Sequence, residues 1–498
     1  MKRSSGILLH ISSLKNKYGI GTFGTECYEF IDFLKESGQK FWEVLPLNQT
    51  GFGDSPYSSC SVFSFNPYFI SPEALAGEGL LHDKELKCFE DGSKYVDYGK
   101  LYNTRFRILR LAFSRFDKND KEFKKFVKKN EYGDYALYMT IKGIFAGKAF
   151  YDWAPEYKFR NSDTMEYVKK QYKEEILFWQ FLQYEASSEW EMVKGYAKEN
   201  GISIIGDMPF YPAYDSADVW ANPNLFKLDD NLFPRKVAGV PPDYFSETGQ
   251  LWGNPVYDFD VMKSDGYSWW IKRFKYALKT FDYVRLDHFR GFDRYYEIDY
   301  GRPDAKIGRW VNVDGEGFFK IVHNNVKKDR IIAEDLGIID DGVRELLKKC
   351  GYPGMRILSF AFNGDEKNFY LPEKIEENSV CFTGTHDNDT LIGLIEHFSE
   401  WDKKNFYSGV KNSLGIFKIK KTIKTEKDLA EAVIELGFAC KAELFILPLT
   451  DAALLNGDYR MNTPGRETGN WTMRIPSSAT SKKISSKLKK LCEKYKRN

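Results

Sequence analysis

Eight short β-rich runs, mostly separated by helical patterns, predict a (β/α)8 TIM barrel. Two connections too long for simple crossovers predict long helical and loop insertions on the face where the strands end. Three of the runs finish in a carboxylate, which places the chemistry on that face. In order, the runs cover residues 6–11, 41–47, 202–210, 283–289, 330–336, 355–360, 380–386 and 443–449. Each is rich in β-branched, aromatic or aliphatic residues. Helical periodicity follows several of them: 26–37 puts Phe30, Phe33 and Leu34 on one face with Gly38 as its stop, and 342–350 follows the Glu334 run.

The first long connection, 48–200, reads as a mainly helical insertion subdomain between strands two and three. Within 164–198, Ile176, Leu177, Phe178, Trp179, Phe181 and Leu182 form a broad apolar segment that Asn200-Gly201 ends. The second, 211–281, reads as loop-rich, with Pro241-Pro242-Asp243-Tyr244 and Gly249-Gln250-Leu251-Trp252-Gly253-Asn254-Pro255 forming an active-site flap over 241–257. Residues 1–498 are expected to make a single catalytic barrel carrying both insertions. From Ser477 the tail is rich in Ser and Lys and is expected to form a solvated helix.

At 498 residues the chain exceeds the usual single core. Its 73 Lys plus Arg nearly balance 71 Asp plus Glu, so the charge argues against nucleic acid or an anionic membrane as partner. Aromatics make up 16% of residues, ample both for a core and for stacking on the C–H faces of sugars. Seven cysteines without a Cys-x-x-Cys pair suit neither a disulfide framework nor a thiolate zinc site. Ile7-Leu8-Leu9 is too short for a signal-peptide core, and no apolar run reaches the roughly 18 residues of a membrane span, so a cytoplasmic protein is expected.

The run Val284-Arg285-Leu286-Asp287-His288-Phe289-Arg290-Gly291 carries the most information. Tyr283, Arg285 and Asp287 share one strand face, and Val284 and Leu286 the other. A carboxylate two residues from an arginine is expected to stay ionised and can act as a nucleophile, although one such Asp in isolation is more often an ion pair or a helix cap. Ala333-Glu334-Asp335-Leu336-Gly337 and Thr383-Gly384-Thr385-His386-Asp387-Asn388-Asp389 repeat the layout at two other strand ends. Two carboxyl groups flanking one bond suit glycosidic cleavage. Asp287 would attack, Glu334 with no adjacent cation would carry the proton, and Asp387 would hold hydroxyls and strain the ring. Metal catalysis is the rival use of three carboxylates, but ligands clustered at helix or loop spacing are absent, so neither metal nor cofactor is expected. No glycine-rich loop of phosphate-binding type opens a helix after a strand.

These three motifs resemble those of the 4-α-glucanotransferases, the amylomaltase or disproportionating-enzyme family within the α-amylase superfamily. Asp54-Ser55-Pro56-Tyr57-Ser58, Gly206-Asp207-Met208-Pro209, Trp252-Gly253-Asn254-Pro255 and Asn462-Thr463-Pro464-Gly465 extend the resemblance over nearly the whole chain. It implies Asp287 as nucleophile, Glu334 as general acid/base and Asp387 as transition-state stabiliser. It also implies that Arg285, His288 and His386 bind near the scissile sugar and that Tyr57, Asp207, Trp252, Asn254 and Asn462 line the donor and acceptor groove. The implied activity is retaining transfer of an α-1,4-glucan from maltooligosaccharide, starch or glycogen-derived glucan to the 4-hydroxyl of glucose or another glucan. The carboxylates alone also fit an α-amylase-type hydrolase, and the barrel alone a non-catalytic glucan-binding protein. The apolar loop around Trp252 is what would let a sugar outcompete water.

Overall fold

The computed structural model of the chain describes residues 2–51, 53–242, 246–337, 339–466 and 468–498. Among them run the strands β1 (Ser4–Leu8), β2 (Phe41–Glu43), β3 (Ser203–Met208), β4 (Lys236–Val240), β5 (Gln250–Pro255), β6 (Tyr283–Leu286), β7 (Arg294–Asp299), β8 (Gly308–Asn312), β9 (Ile331–Ala333), β10 (Gly354–Ile357), β11 (Ser379–Phe382) and β12 (Leu444–Pro448). Eight pair in the order β10-β11-β12-β1-β2-β3-β6-β9, all in parallel. Across the remaining seam the Ala333 N–H donates to the Pro353 carbonyl at 3.0 Å, so the sheet nearly closes into the expected (β/α)8 barrel. Each of the eight strands lies within or overlaps one of the eight runs read from the sequence.

Register fixes which side chains face the axis. Glu43 pairs with Ile205, Asp207 with Arg285, and Arg285 with Ile332. Parallel neighbours in register share a face, so these residues line the inside. Phe41 and Tyr283, on strands separated by β3, bring their rings within 5.5 Å of each other. Val284 and Leu286, both 0% exposed, pack outward under the helices. Gly206 shows how tight that outer layer is. A Cβ there would lie 2.1 Å from the Phe281 ring, so only glycine lets β3 and the approach to β6 close up.

Within the 48–200 connection, the last stretch is two helices, Ser162–Gln171 and Lys173–Glu199. Tyr172 leaves the helical backbone at φ −110°, ψ 28°. Its N–H still closes the first helix on Val168 O, and its carbonyl receives the Ile176 N–H of the second. The longer helix buries Phe178, Trp179, Phe181 and Leu182.

The 211–281 connection departs further from expectation. Two short segments of it, β4 and β5, join β7 and β8 from beyond β6 in an antiparallel sheet of order β5-β4-β7-β8. The stretch read as a loop at Trp252-Gly253-Asn254-Pro255 is the edge strand β5, paired irregularly with β4 (Gly239 to Leu251, Val237 to Pro255). Its turn-forming residues are tolerated because an edge strand needs only one ladder. Asp243, Tyr244 and Phe245, at the tip of the expected flap, lie outside the described residues.

The tail forms the helix Lys482–Tyr495, yet it is docked as well as solvated. Leu488 and Cys492 are buried, and Lys487 and Lys494 each reach a glutamate, Glu431 and Glu435, at 2.7 Å. Beyond it, the buried Arg497 donates to the carbonyls of Ser4, Phe438 and Cys440, tying the C-terminus to the barrel floor.

Candidate active site

At the C-terminal ends of the barrel strands, the polar residues of β3 and β6 meet first. Arg285 Nη1 lies 2.7 Å from Asp207 Oδ2 and 3.0 Å from Asp287 Oδ1. Asp207 Oδ2 also accepts the Tyr57 hydroxyl at 2.5 Å, so the helical insertion is tied into the centre. The Tyr57 ring stacks on His386, with centroids 5.1 Å apart and planes 20° apart. Trp471 closes that aromatic wall, 5.8 Å from Tyr57 and 5.9 Å from His386.

Asp287 follows β6, and its N–H bonds back to Met208 O at 3.1 Å, which fixes where the strand ends. The next residue, His288, has a left-handed backbone (φ 47°), an uncommon conformation for a residue with a Cβ. That twist aims its N–H at Glu334 Oε2, 2.8 Å away, while Leu336 N–H reaches Glu334 Oε1 at 2.8 Å. The adjacent Asp335 is engaged differently: Met355 N–H and the Arg356 guanidinium hold it at 2.6 and 3.0 Å. Of the two neighbouring carboxylates, Asp335 is a structural tie, and Glu334 stands beside Asp287.

Asp387 completes the trio after β11. Asn462 Nδ2 donates to its Oδ1 at 2.6 Å, Arg460 holds its carbonyl at 2.8 Å, and His386 Nε2 lies 3.4 Å from Oδ1. Its side chain remains 45% exposed, open to a ligand. Trp252 on β5 stands over His288, edge to face at 4.9 Å, and is 37% exposed. Asn254, expected to line the groove, spends its amide on Pro212 O at 2.8 Å and so anchors β5 to the barrel.

The electrostatics differ from expectation at one point. Burial, aided by Asp207, Glu334 and Asp387, raises the Asp287 carboxyl to about 8 against the pull of Arg285, although 26% of its side chain still faces the cleft. Glu334 is also raised by burial, against Arg285 and its two amide donors. Arg285 therefore does not by itself keep Asp287 ionised, because it is divided between carboxylates and lies closest to Asp207. Two adjacent acids that are both raised retain a proton between them at neutral pH, and they titrate as a pair. Burial lowers His386, and lowers His288 to about 4, so both imidazoles are neutral hydrogen-bonding groups at neutral pH.

Sequence reasoning named Tyr57, Asp207, Arg285, Asp287, Glu334, His386, Asp387 and Asn462, and the structure brings these together, with His288 and Trp252 at the rim. It missed the roles of Arg460 and Trp471. Arg460 lies two residues before the motif that contains Asn462, which was the only signal. It also passed over Glu43, a lone carboxylate on the inner face of a strand whose other side chains are apolar.

A model of the 4-alpha-glucanotransferase family matches residues 9–480. A 4-alpha-glucanotransferase of Clostridium butyricum is 41% identical over 493 residues, covering 98% of this chain and 99% of its own. One from Aquifex aeolicus is 44% identical over 485 residues, 97% of each chain. An amylomaltase from Streptococcus agalactiae, solved in complex with acarbose, superposes with a TM-score of 0.94 at 35% identity over 100% of both chains.

Proposed function

Because the chain belongs to the 4-alpha-glucanotransferase family, we propose that Asp287, Glu334 and Asp387 divide its reaction into nucleophile, general acid/base and transition-state stabiliser. What carries the assignment is that Arg285 touches Asp287 while Glu334 and Asp387, from the ends of β9 and β11, act on that same carboxyl. In the productive form the shared proton sits on Glu334 and the charge on Asp287, the member that Arg285 touches at 3.0 Å. Asp287 attacks the anomeric carbon as Glu334 gives its proton to the departing glycosidic oxygen, leaving a covalent glycosyl-enzyme. Glu334, now a base, takes the proton from the 4-hydroxyl of an acceptor glucan, which attacks the same carbon, and the two inversions give retention. Asp387, oriented by Asn462, and the neutral His386 grip hydroxyls of the reacting glucose as its ring flattens. Tyr57 and Trp471 offer it an aromatic wall.

Donor and acceptor are read as maltooligosaccharide, starch or glycogen-derived glucan. The acarbose held by the Streptococcus agalactiae amylomaltase supports a cleft shaped for α-linked oligosaccharides. The 48–200 insertion, which delivers Tyr57, is read as one wall of that cleft. We also place the protein in the cytoplasm: no helix among the described residues is long and apolar enough to cross a membrane, and all seven cysteines are free.

Incubation with maltotriose tests the reaction. A ladder of longer and shorter glucans with a constant number of reducing ends is expected, whereas reducing ends rising one for one with cleavage would make the protein a hydrolase. Trp252 is assigned to water exclusion, since its exposed indole overhangs His288. Trp252→Ala should therefore raise the ratio of hydrolysis to transfer severalfold, read from reducing ends released per bond broken. An unchanged ratio would leave Trp252 as a mere anchor of β5.

A further inference from the structure

Glu43 occupies the inner face of β2, 2% exposed, and its Oε2 has no hydrogen-bond partner among the described residues. It pairs in register with Ile205, one inward position below Asp207 on the adjoining β3, and Asp207 in turn pairs with Arg285 on β6. Asp207 Oδ1 on the adjoining β3 and His10 Nδ1, two residues past β1 on the other side, are likewise buried without partners among the described residues, so unsatisfied polar atoms flank Glu43 on both sides. A buried carboxyl lacking such partners is costly to ionise. An apolar side chain at this position would avoid that cost.

We propose that Glu43 is a positioning residue for the reaction: from below the Asp207–Arg285 pair, its charge state sets how tightly Asp287 and Glu334 hold their last proton. The inference rests on the roles given above to Asp287 and Glu334. Of the charged and titratable groups, Arg285 of β6 and Asp207 of β3 act on Glu43 directly, Tyr283 of β6 shares its layer through Ile205, His10 follows β1, Tyr57, Asp287 and Glu334 act on the same guanidinium, and His386 and Asp387 stand beyond it. Arg285 is the one strong cation in this set, and the acids compete for it. Burial raises Glu43 to about 8, with Arg285 opposing and Asp207 reinforcing the rise. At neutral pH it is therefore a neutral acid and leaves the guanidinium to Asp207 and Asp287. As pH rises Glu43 ionises, and the added negative charge makes the neighbouring pair give up its proton less readily. Glu43 thus carries the active, singly protonated form of the pair to higher pH than the pair would reach alone.

The test is the pH profile of kcat/KM on maltotriose for the wild type and Glu43→Gln, with the position of the alkaline limb as the readout and not its height. Removing the ionisable group should move that limb to lower pH by about half a unit or more. A limb that stays in place, or moves up, overturns the proposal. Uniformly lower activity at an unmoved limb does the same, because it marks a packing role only. If Glu43→Gln fails to fold, Glu43→Met supplies the same neutral interior and the same expected shift, with the same contrary results. An active Asp287→Asn protein would instead remove the roles on which the inference rests, while an inactive one alongside an unmoved Glu43→Gln limb removes Glu43 alone.

Discussion

Replacing Asp287 by Asn should lower transfer between maltotriose molecules by about 10⁴-fold or more, because the bond to the anomeric carbon has no other nucleophile to form on. The same variant should be more stable than the wild type. The Asp287–Glu334 pair, in which burial raises Asp287 from 3.8 to about 8, holds a proton that unfolding releases. The folded state is therefore penalised as pH rises between those values, and fully so above the upper one. The amide removes the charge, and Arg285 keeps Asp207 at 2.7 Å. Thermal unfolding should show a higher midpoint for Asp287→Asn, with the gain larger near about pH 9 than near about pH 5. An equal or lower midpoint across that range would show that the ion pair to Arg285 outweighs burial. Near-normal turnover would take the nucleophile's role from Asp287.

Replacing Glu334 by Gln should slow transfer from maltotriose by about 10² to 10⁴-fold, the usual contribution of a placed acid and base. Here the loss should depend on the leaving group. A maltosyl fluoride donor departs without protonation, so the first half-reaction should recover much of its wild-type rate. The second half-reaction still requires deprotonation of the acceptor 4-hydroxyl and should stay slow. Fluoride release showing a fast burst followed by slow turnover is the expected trace. Equal impairment with the natural and activated donors would mean that Glu334 positions the substrate and does not move the proton. Of the two N–H groups that donate to Glu334, from His288 and Leu336, the glutamine oxygen can accept one, while the other would face the side-chain NH2.

The eight barrel strands were legible because a buried parallel strand writes itself as a short, nearly continuous apolar run; even three-residue β9 showed through its Ile-Ile-Ala. The second sheet was not, because its edge strand β5 is largely exposed and carries Gly253, Asn254 and Pro255, local signals that favour a turn until β4 pairs with it. The three carboxylates were legible as strand-end acids, but the choice between Glu334 and Asp335 depended on Arg356 and the Met355 amide, which the sequence could not bring near. The charge on Asp287 is not legible in the sequence for a related reason. Two-residue spacing revealed Arg285, whereas Asp207, Glu334 and Asp387, which share or oppose that cation, arrive from other strands. Tyr57 and Trp471 meet across more than four hundred residues of chain, and only the folded barrel puts them against one another.

The most direct test of the account is to trap the glycosyl-enzyme. Glu334→Gln should be incubated with maltosyl fluoride, quenched in acid during the slow phase and digested, and its peptides weighed. One maltosyl unit should be found in ester linkage on the peptide bearing Asp287, and added maltose should remove it only at the slow rate of turnover, whereas the wild type treated the same way should lose it rapidly. An adduct on any other residue, or fluoride released with no adduct under the same quench, would contradict the account.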